Sequence, residues 1–169
     1  MIFTIPNLLS LLRIPFALVF LQGNPLYRSL AIIFAMITDI LDGYLARRYR
    51  MSSQIGALID PIMDKFFVLF VLATLITENR LSWPDALSLI CRDYSVVLFG
   101  FYLVLSGQLT KYQFRAIWCG KVTTALQFAI LLGLTFHYEF SPLVYDTFIV
   151  LGILALLELY FKKSDALLE

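Results

Sequence analysis

Cysteine and histidine are scarce in this chain, and charge is limited as well. Neither Cys91 nor Cys119 has a CxxC neighbour, so no disulfide framework is expected. The one histidine, His137, falls in a predicted loop and is expected to be solvated. Charged residues make up 15% of the sequence and the net charge is +1, which indicates no particular partner, and no nucleic acid is expected among the partners. The positions of the few charged residues therefore hold most of the functional information.

Apolar residues dominate the rest of the sequence. They make up 60% of the 169 residues, where a soluble domain has about 45–50%, and the mean hydropathy is +0.84. A bilayer span needs about 20 apolar residues, so this length allows about six spans with short loops and leaves no room for a separate soluble domain. The composition predicts an all-α, polytopic integral membrane protein with a single domain over residues 1–169.

Glycine and proline residues mark the breaks between six predicted helical segments. The segments are 5–22, 28–47, 60–77, 84–106, 117–136 and 143–161. Seven loop and tail cations fall on one side of the membrane, and only Arg28 and Arg80 fall on the other. The seven are Arg47, Arg48, Arg50, Lys111, Arg115, Lys162 and Lys163. The positive-inside rule therefore places both termini in the cytoplasm, as in a protein of the bacterial inner membrane or an equivalent membrane.

Four aspartates lie close together in this apolar sequence. Asp39 and Asp42 end the second predicted segment, and Asp60 and Asp64 begin the third. A carboxylate at the centre of a membrane helix costs about 2.5–3.5 kcal/mol, so four of them need a physical reason. A bound divalent metal supplies one, because Mg²⁺ and Mn²⁺ prefer hard oxygen ligands.

The spacing of the aspartates places each pair on one helix face. Asp39 and Asp42 are three residues apart, and Asp60 and Asp64 are four apart. Two antiparallel helices joined by a short loop would bring the pairs opposite each other near the cytoplasmic surface. Two metal ions bridged by carboxylates suit phosphoryl chemistry, since they contact both the attacking and the leaving oxygen. Four cations also lie inside predicted segments and indicate a polar chamber in the bundle: Arg13, Lys65, Arg92 and Lys121.

The four aspartates are also compatible with alternative roles. They could form structural ion pairs with Arg47, Lys65 or Arg92, or they could act as a proton relay in a small transporter or channel. Membrane prenyltransferases also use aspartate-rich motifs with Mg²⁺, but this chain has one composite motif and few helices. A relay would not need the small residues Gly43 and Ala46 on the acidic face, which favours an enzyme.

The full pattern, D-x2-D-G-x2-A-R-x8-G-x3-D-x3-D, resembles the signature of the CDP-alcohol phosphatidyltransferases. The run from Pro6 to Arg13 is similar to the opening helix of that family, and the run from Gly120 to Gln127 is similar to a later motif. The resemblance covers essentially the whole chain. It implies a six-helix membrane enzyme, often a homodimer, with its metal-containing chamber open to the cytoplasmic side.

The resemblance also implies roles for individual residues. Asp39, Asp42, Asp60 and Asp64 would ligate two Mg²⁺ or Mn²⁺ ions, and Asp64 would act as the general base. The cytidine diphosphate pocket would be lined by Gly43, Ala46, Arg47, Gly56 and Asn7. An acceptor hydroxyl would attack the phosphorus attached to diacylglycerol in CDP-diacylglycerol, and CMP would leave.

The acceptor is predicted from two positions that lack a cation. Phosphatidylglycerophosphate synthases typically have a second arginine where this chain has Gly100 and a second lysine where it has Thr123. A phosphomonoester carries about −1.5 to −2 charge and favours Arg or Lys ligands, whereas a phosphodiester lipid needs fewer. The expected acceptor is therefore phosphatidylglycerol, giving cardiolipin; the alternative is glycerol 3-phosphate, with serine or inositol phosphate also open. Candidate ligands of the acceptor are Arg92, Lys121, Arg13 and Arg115.

Overall fold

The computed structural model describes residues 5–49, 56–105 and 118–166, and in these ranges it contains helices and no strand. The helices are α1 Ile5–Leu11, α2 Arg13–Phe20, α3 Pro25–Tyr49, α4 Gly56–Thr77, α5 Trp83–Leu105, α6 Trp118–Thr135 and α7 Pro142–Ala166. The predicted all-α class is confirmed for the described residues.

Each predicted segment corresponds to a helix or a pair of helices, although α3 begins three residues before its predicted start and α7 ends five residues beyond its predicted end. Two further differences concern the first and third segments. The first segment is divided at Leu12, which keeps right-handed helical dihedrals of φ −62° and ψ −15°. Pro15 lies just beyond this division and has no N–H to donate to the carbonyl four residues earlier. The predicted start of the third segment at residue 60 is wrong, because α4 begins at Gly56 and includes Pro61.

The helix ends follow the local chemistry of the sequence. Pro25 is the first residue of α3, where its missing N–H has no cost, and the Asn24 side chain accepts a hydrogen bond from the Leu26 N–H at 2.9 Å. Beyond α4, Asn79 adopts a left-handed φ of 57°, and beyond α6 His137 adopts a φ of 63°. Such residues reverse the chain after a helix. His137 is exposed in its turn, as expected from the sequence.

The chain forms two compact units. The first comprises residues 1–81 and 131–138, and the second comprises residues 82–130 and 139–169. In the first unit, α1 and α2 pack against both α3 and α4. Small side chains such as Ala31 and Ala35 are buried there beside Phe20 and Phe67. Small residues let helix backbones approach closely, which is how helices associate where no water drives them together.

The second unit is built on close packing of α5 against α7. Gly152 of α7 lies so near α5 that an added Cβ would stand 2.9 Å from Cys91 Sγ and 3.3 Å from the Arg92 backbone nitrogen. Buried Gln127 of α6 donates a hydrogen bond from Nε2 to the Leu89 carbonyl at 3.2 Å. A glycine and a buried amide therefore fix the helices of this unit.

Within the described residues, one stretch, Pro142–Tyr160, is long and apolar enough to cross a membrane by length and composition. α3 carries Asp39 and Asp42 and α5 carries Arg92 and Asp93, so charged residues interrupt the apolar runs of these two continuous helices. The six-span architecture predicted from composition stays a prediction. Large apolar side chains are nevertheless exposed along the helices, as Ile40, Val97 and Leu143 illustrate.

Candidate active site

Two aspartates of the motif lie side by side on α3. Asp39 and Asp42 are one helical turn apart, and both face the junction between α1 and α2. Asp42 is 2% exposed, whereas Asp39 is 36% exposed. The predicted sharing of one helix face is confirmed, and the pair presents one inner and one outer carboxylate.

Arg13, the first residue of α2, joins the two carboxylates. Its Nη2 donates to Asp39 Oδ1 at 2.6 Å and to Asp42 Oδ2 at 3.2 Å. The Arg13 side chain is 1% exposed. Ser10, one turn earlier on α1, donates from Oγ to the same Asp42 oxygen at 3.3 Å. Two residues of the N-terminal helices thus converge on the acidic face of α3.

Asp64 lies in the third turn of α4 and is largely buried. Its nearest cation by sequence, Lys65, places Nζ 3.6 Å from Asp64 Oδ2, and Lys65 is itself more exposed than Asp64. This ion pair is longer than those made by Arg13. It joins Asp64 to a neighbour on its own helix.

Several more of the predicted site residues lie outside the described side chains. These are Asn7 in α1, Gly43, Ala46 and Arg47 in α3, Gly56 and Asp60 in α4, and Lys121 in α6, whose backbones are helical. Arg115 lies outside the described residues altogether. Their roles stay predictions.

The carboxylates that are described fit a divalent metal by their chemistry. One oxygen of Asp39 and one of Asp42 both lie within 3.2 Å of Arg13 Nη2, so their point of convergence holds a cation. Carboxylate oxygens are nevertheless the hard ligands that Mg²⁺ and Mn²⁺ prefer. Among the described residues there is no group of three or more acids, histidines or cysteines that could hold an ion. The set predicted from sequence includes Asp60, whose side chain is not among them.

Arg92 on α5 belongs to the second unit. Its Nη1 donates to Asp93 Oδ1 at 3.1 Å, while its Nε is buried and has no hydrogen-bond partner among the described residues. A buried guanidinium N–H without an acceptor is costly unless an anion binds it. Thr123, where phosphatidylglycerophosphate synthases typically have a second lysine, is buried, and it brings no cation to that position.

Two contacts in the structure were not predicted from the sequence. Ser10 entered the sequence prediction only as part of an N-terminal motif, although its spacing from Arg13 places the two on one helix face. That spacing was a usable signal. The hydrogen bond from Gln127 to a main-chain carbonyl had none, because any segment of α5 could have supplied the acceptor.

The family model of the CDP-alcohol phosphatidyltransferases matches residues 3–160. The chain belongs to this family. It is therefore a phosphatidyltransferase, and the interpretation of the aspartates as a transporter relay has no support. The family match includes all four aspartates and the N-terminal residues that contact two of them.

Three curated relatives share the enzyme name CDP-diacylglycerol–glycerol-3-phosphate 3-phosphatidyltransferase. The protein of Haemophilus influenzae is 30% identical over 81% of this chain and 78% of its own length. That of Pectobacterium atrosepticum is 33% identical over 81% and 79%, and that of Escherichia coli K12 is 35% identical over 78% and 76%.

These names bear on the predicted acceptor. Phosphatidylglycerol, the acceptor expected from Gly100 and Thr123, is not supported. The relatives are named for the alternative acceptor, glycerol 3-phosphate. The physical reason for the miss is that two absent cations do not fix the charge of a site in which other arginines and lysines are available.

Proposed function

We propose that the protein transfers the phosphatidyl group of CDP-diacylglycerol to the hydroxyl of glycerol 3-phosphate, releasing CMP and forming phosphatidylglycerophosphate. The observation that supports it most is the placement of Asp39 and Asp42 on one face of α3, in a chain that matches the phosphatidyltransferase family. The names of the relatives support the choice of acceptor.

Asp39, Asp42, Asp60 and Asp64 would hold two ions of Mg²⁺ or Mn²⁺. When bound, the ions supply positive charge beside the pyrophosphate of the donor. Gly43, Ala46 and Gly56 have little or no side chain, so the helix backbones can lie close to the cytidine diphosphate group. Arg47 and Asn7 would complete this pocket.

Asp64 would act as the general base. Its carboxylate takes the proton of the acceptor hydroxyl as that oxygen attacks the phosphorus attached to diacylglycerol. The bond from that phosphorus to the bridging oxygen breaks, and its electron pair leaves with CMP. The partly buried position of Asp64 excludes much of the water that would compete as acceptor.

Arg92, Lys121 and Arg115 are proposed to bind the phosphate of the acceptor. The buried Arg92 Nε has no partner among the described residues, which suits a ligand rich in acceptor oxygens. Arg13 belongs to this predicted set by its sequence position. Its hydrogen bonds to Asp39 and Asp42 favour a different role.

The setting of the reaction is part of the proposal. The whole chain, 1–169, would form one catalytic domain in the bacterial inner membrane, with six spans and a polar chamber open to the cytoplasm. Both termini would be cytoplasmic and two copies would form a homodimer. The exposed apolar side chains of α3, α5 and α7 support a lipid environment.

A second candidate acceptor, phosphatidylglycerol, keeps one argument. Thr123 is buried and uncharged, which suits an acceptor of lower charge. The test is an assay of the purified protein in detergent with CDP-diacylglycerol and Mg²⁺ or Mn²⁺, offering each acceptor separately and identifying the lipid product by mass. Phosphatidylglycerophosphate is expected; cardiolipin made only from phosphatidylglycerol would replace the proposal with the second candidate.

Variants of the aspartates test the assigned roles. Asp64→Asn is expected to abolish turnover, because an amide cannot take the hydroxyl proton. Metal and nucleotide binding should persist, because the amide keeps one oxygen for the ion and the other three aspartates are unchanged. Asp39→Ala is expected to lose metal-dependent binding of CDP-diacylglycerol. Asp85→Asn, at the start of α5, is the matched control and should keep wild-type turnover. Full activity of Asp64→Asn would remove the general-base assignment.

A further inference from the structure

Arg13 is among the most completely buried side chains of the protein, yet it carries a full charge. Removing a guanidinium from water costs several kcal/mol unless opposite charges and hydrogen bonds replace the solvent. Asp39 and Asp42 supply that compensation, with Ser10 adding a hydrogen bond to Asp42. Arg13 and the equally buried Asp42 each offset the loss of water around the other.

The geometry of the cluster fixes where the carboxylates point. One nitrogen, Nη2, donates to an oxygen of each aspartate, so the two oxygens must lie near one another. Two carboxylates repel each other when they are this close in a medium of low dielectric. The planar guanidinium holds them together in a fixed orientation, which a flexible ammonium would do less well.

A ligand for the acceptor phosphate would need to reach the substrate. The Arg13 side chain is 1% exposed, and it donates to the two residues proposed as metal ligands. Partners of metal ligands characteristically hydrogen-bond to the ligands and set their orientation. The position of Arg13 matches that role more closely than the role of a substrate ligand.

We infer that Arg13, assisted by Ser10, is a positioning residue that fixes the orientation of Asp39 and Asp42, the two α3 carboxylates proposed to bind the divalent ion. The inference rests on the proposed metal-dependent function and deepens it. It assigns the junction of α1 and α2 to the metal centre, although this junction supplies no proposed metal ligand.

The test measures the binding of Mn²⁺ alone to the protein of residues 1–169 in detergent. Electron paramagnetic resonance of the free ion gives the affinity. Arg13→Gln is expected to weaken Mn²⁺ binding by about 10- to 100-fold, the usual effect of removing a partner of a metal ligand. Arg13→Lys should recover part of this loss, because it restores the charge but not the planar group. Ser10→Ala should weaken binding less than Arg13→Gln does.

Arg28→Gln is the matched control, since Arg28 is equally buried but pairs with Glu78. It is expected to lower the thermal stability while leaving Mn²⁺ affinity unchanged in the folded fraction. Unchanged or tighter Mn²⁺ binding by Arg13→Gln would overturn the inference. A rise in the KM for glycerol 3-phosphate at unchanged Mn²⁺ affinity would also overturn it and return Arg13 to the acceptor site.

Two outcomes separate this inference from the proposed function. Weakened Mn²⁺ binding in the variants together with no CMP release by the wild type would uphold the positioning role and reject the proposed reaction. Turnover of glycerol 3-phosphate by the wild type, together with unaltered Mn²⁺ binding in Arg13→Gln, would uphold the proposed reaction and reject the positioning role. If Arg13→Gln does not fold, Arg13→Lys and Ser10→Ala decide, and wild-type affinity in both overturns the inference.

Discussion

Two buried arginines of the first unit, Arg13 and Arg28, differ in how their guanidinium groups contact carboxylates. Arg28 gives its two terminal nitrogens to one carboxylate, that of Glu78, and its Nε to the Phe20 carbonyl at 2.8 Å. Its guanidinium also lies 4.8 Å from the centre of the Phe20 ring. Arg13 instead directs a single nitrogen at two carboxylates.

The difference separates an ion pair outside the proposed metal site from one within it. Around Arg28, both terminal nitrogens contact one carboxylate, and Arg80 adds a contact to Glu78 at 3.2 Å. Around Arg13, one nitrogen contacts two carboxylates that are proposed metal ligands. A divalent cation bound there would add positive charge beside them.

The largest expected effect comes from making the same kind of chemical change in each cluster. Asp42→Asn should lower CMP release by about 10³-fold, about 4 kcal/mol of transition-state stabilisation, because a proposed metal ligand would lose its charge. Glu78→Gln should keep the activity per folded molecule within about twofold, since it changes the stability of the fold and not the proposed chemistry. Equal losses in both variants would erase the distinction between the clusters.

The second effect concerns stability. Glu78→Gln leaves Arg28 buried without a charged partner, and breaking a buried pair costs about 3–5 kcal/mol. Glu78 is 31% exposed, so water compensates in part and about 2–3 kcal/mol is expected. Thermal unfolding in detergent measures it. Unfolding at the wild-type temperature would mean that the Arg28 pair does not support the fold.

A third test concerns the packing of two helices in the second unit and changes no charged residue. Gly152→Ala should cost about 1–3 kcal/mol by overpacking, because the new methyl group would press on Cys91 Sγ and on the α5 backbone. Adding Cys91→Ala should recover part of the loss by removing the nearer atom. Additive destabilisation in the double variant would argue against a direct contact.

The smallest effect is a dependence on acid. The hydrogen bonds from Arg28 lower the pKa of Glu78 below its ordinary value of 4.5, against the opposing effect of its burial. The ionised carboxylate therefore contributes stability above pH 4.5, and this contribution is lost as the pH falls through the lowered pKa. The unfolding temperature of the wild type should fall in that range more steeply than that of Glu78→Gln. Parallel curves would contradict the prediction.

The helices and the acidic face could be predicted because both depend on spacing along the chain. The length of the apolar runs predicts the segments, and the spacing of Asp39 and Asp42 predicts their common face. The partner of that face could not be predicted, because it depends on which helix packs against α3. The candidate partners were Arg47, Lys65 and Arg92, whereas the structure brings Arg13.

The acceptor shows a different limit of sequence reasoning. The absence of a cation at Gly100 and at Thr123 predicts a lower charge only if each position acts alone. The charge that binds a phosphate is a property of the whole cavity, and several cations elsewhere in the chain can supply it. A spaced motif therefore predicts the family better than single positions predict its substrate.

The spacing of the Arg13 cluster has one more consequence. Ser10 contacts Asp42, and Arg13, one turn further along the chain, contacts Asp39, one turn earlier on α3. The two pairs of contacts therefore run in opposite directions along the N-terminal helices and α3. A slip of one turn, about 5.4 Å, that moved Arg13 from Asp39 towards buried Ala35 would leave its charge opposite hydrocarbon. Apolar helix faces in lipid resist such sliding weakly. The same four side chains thus set the register of the N-terminal helices on α3.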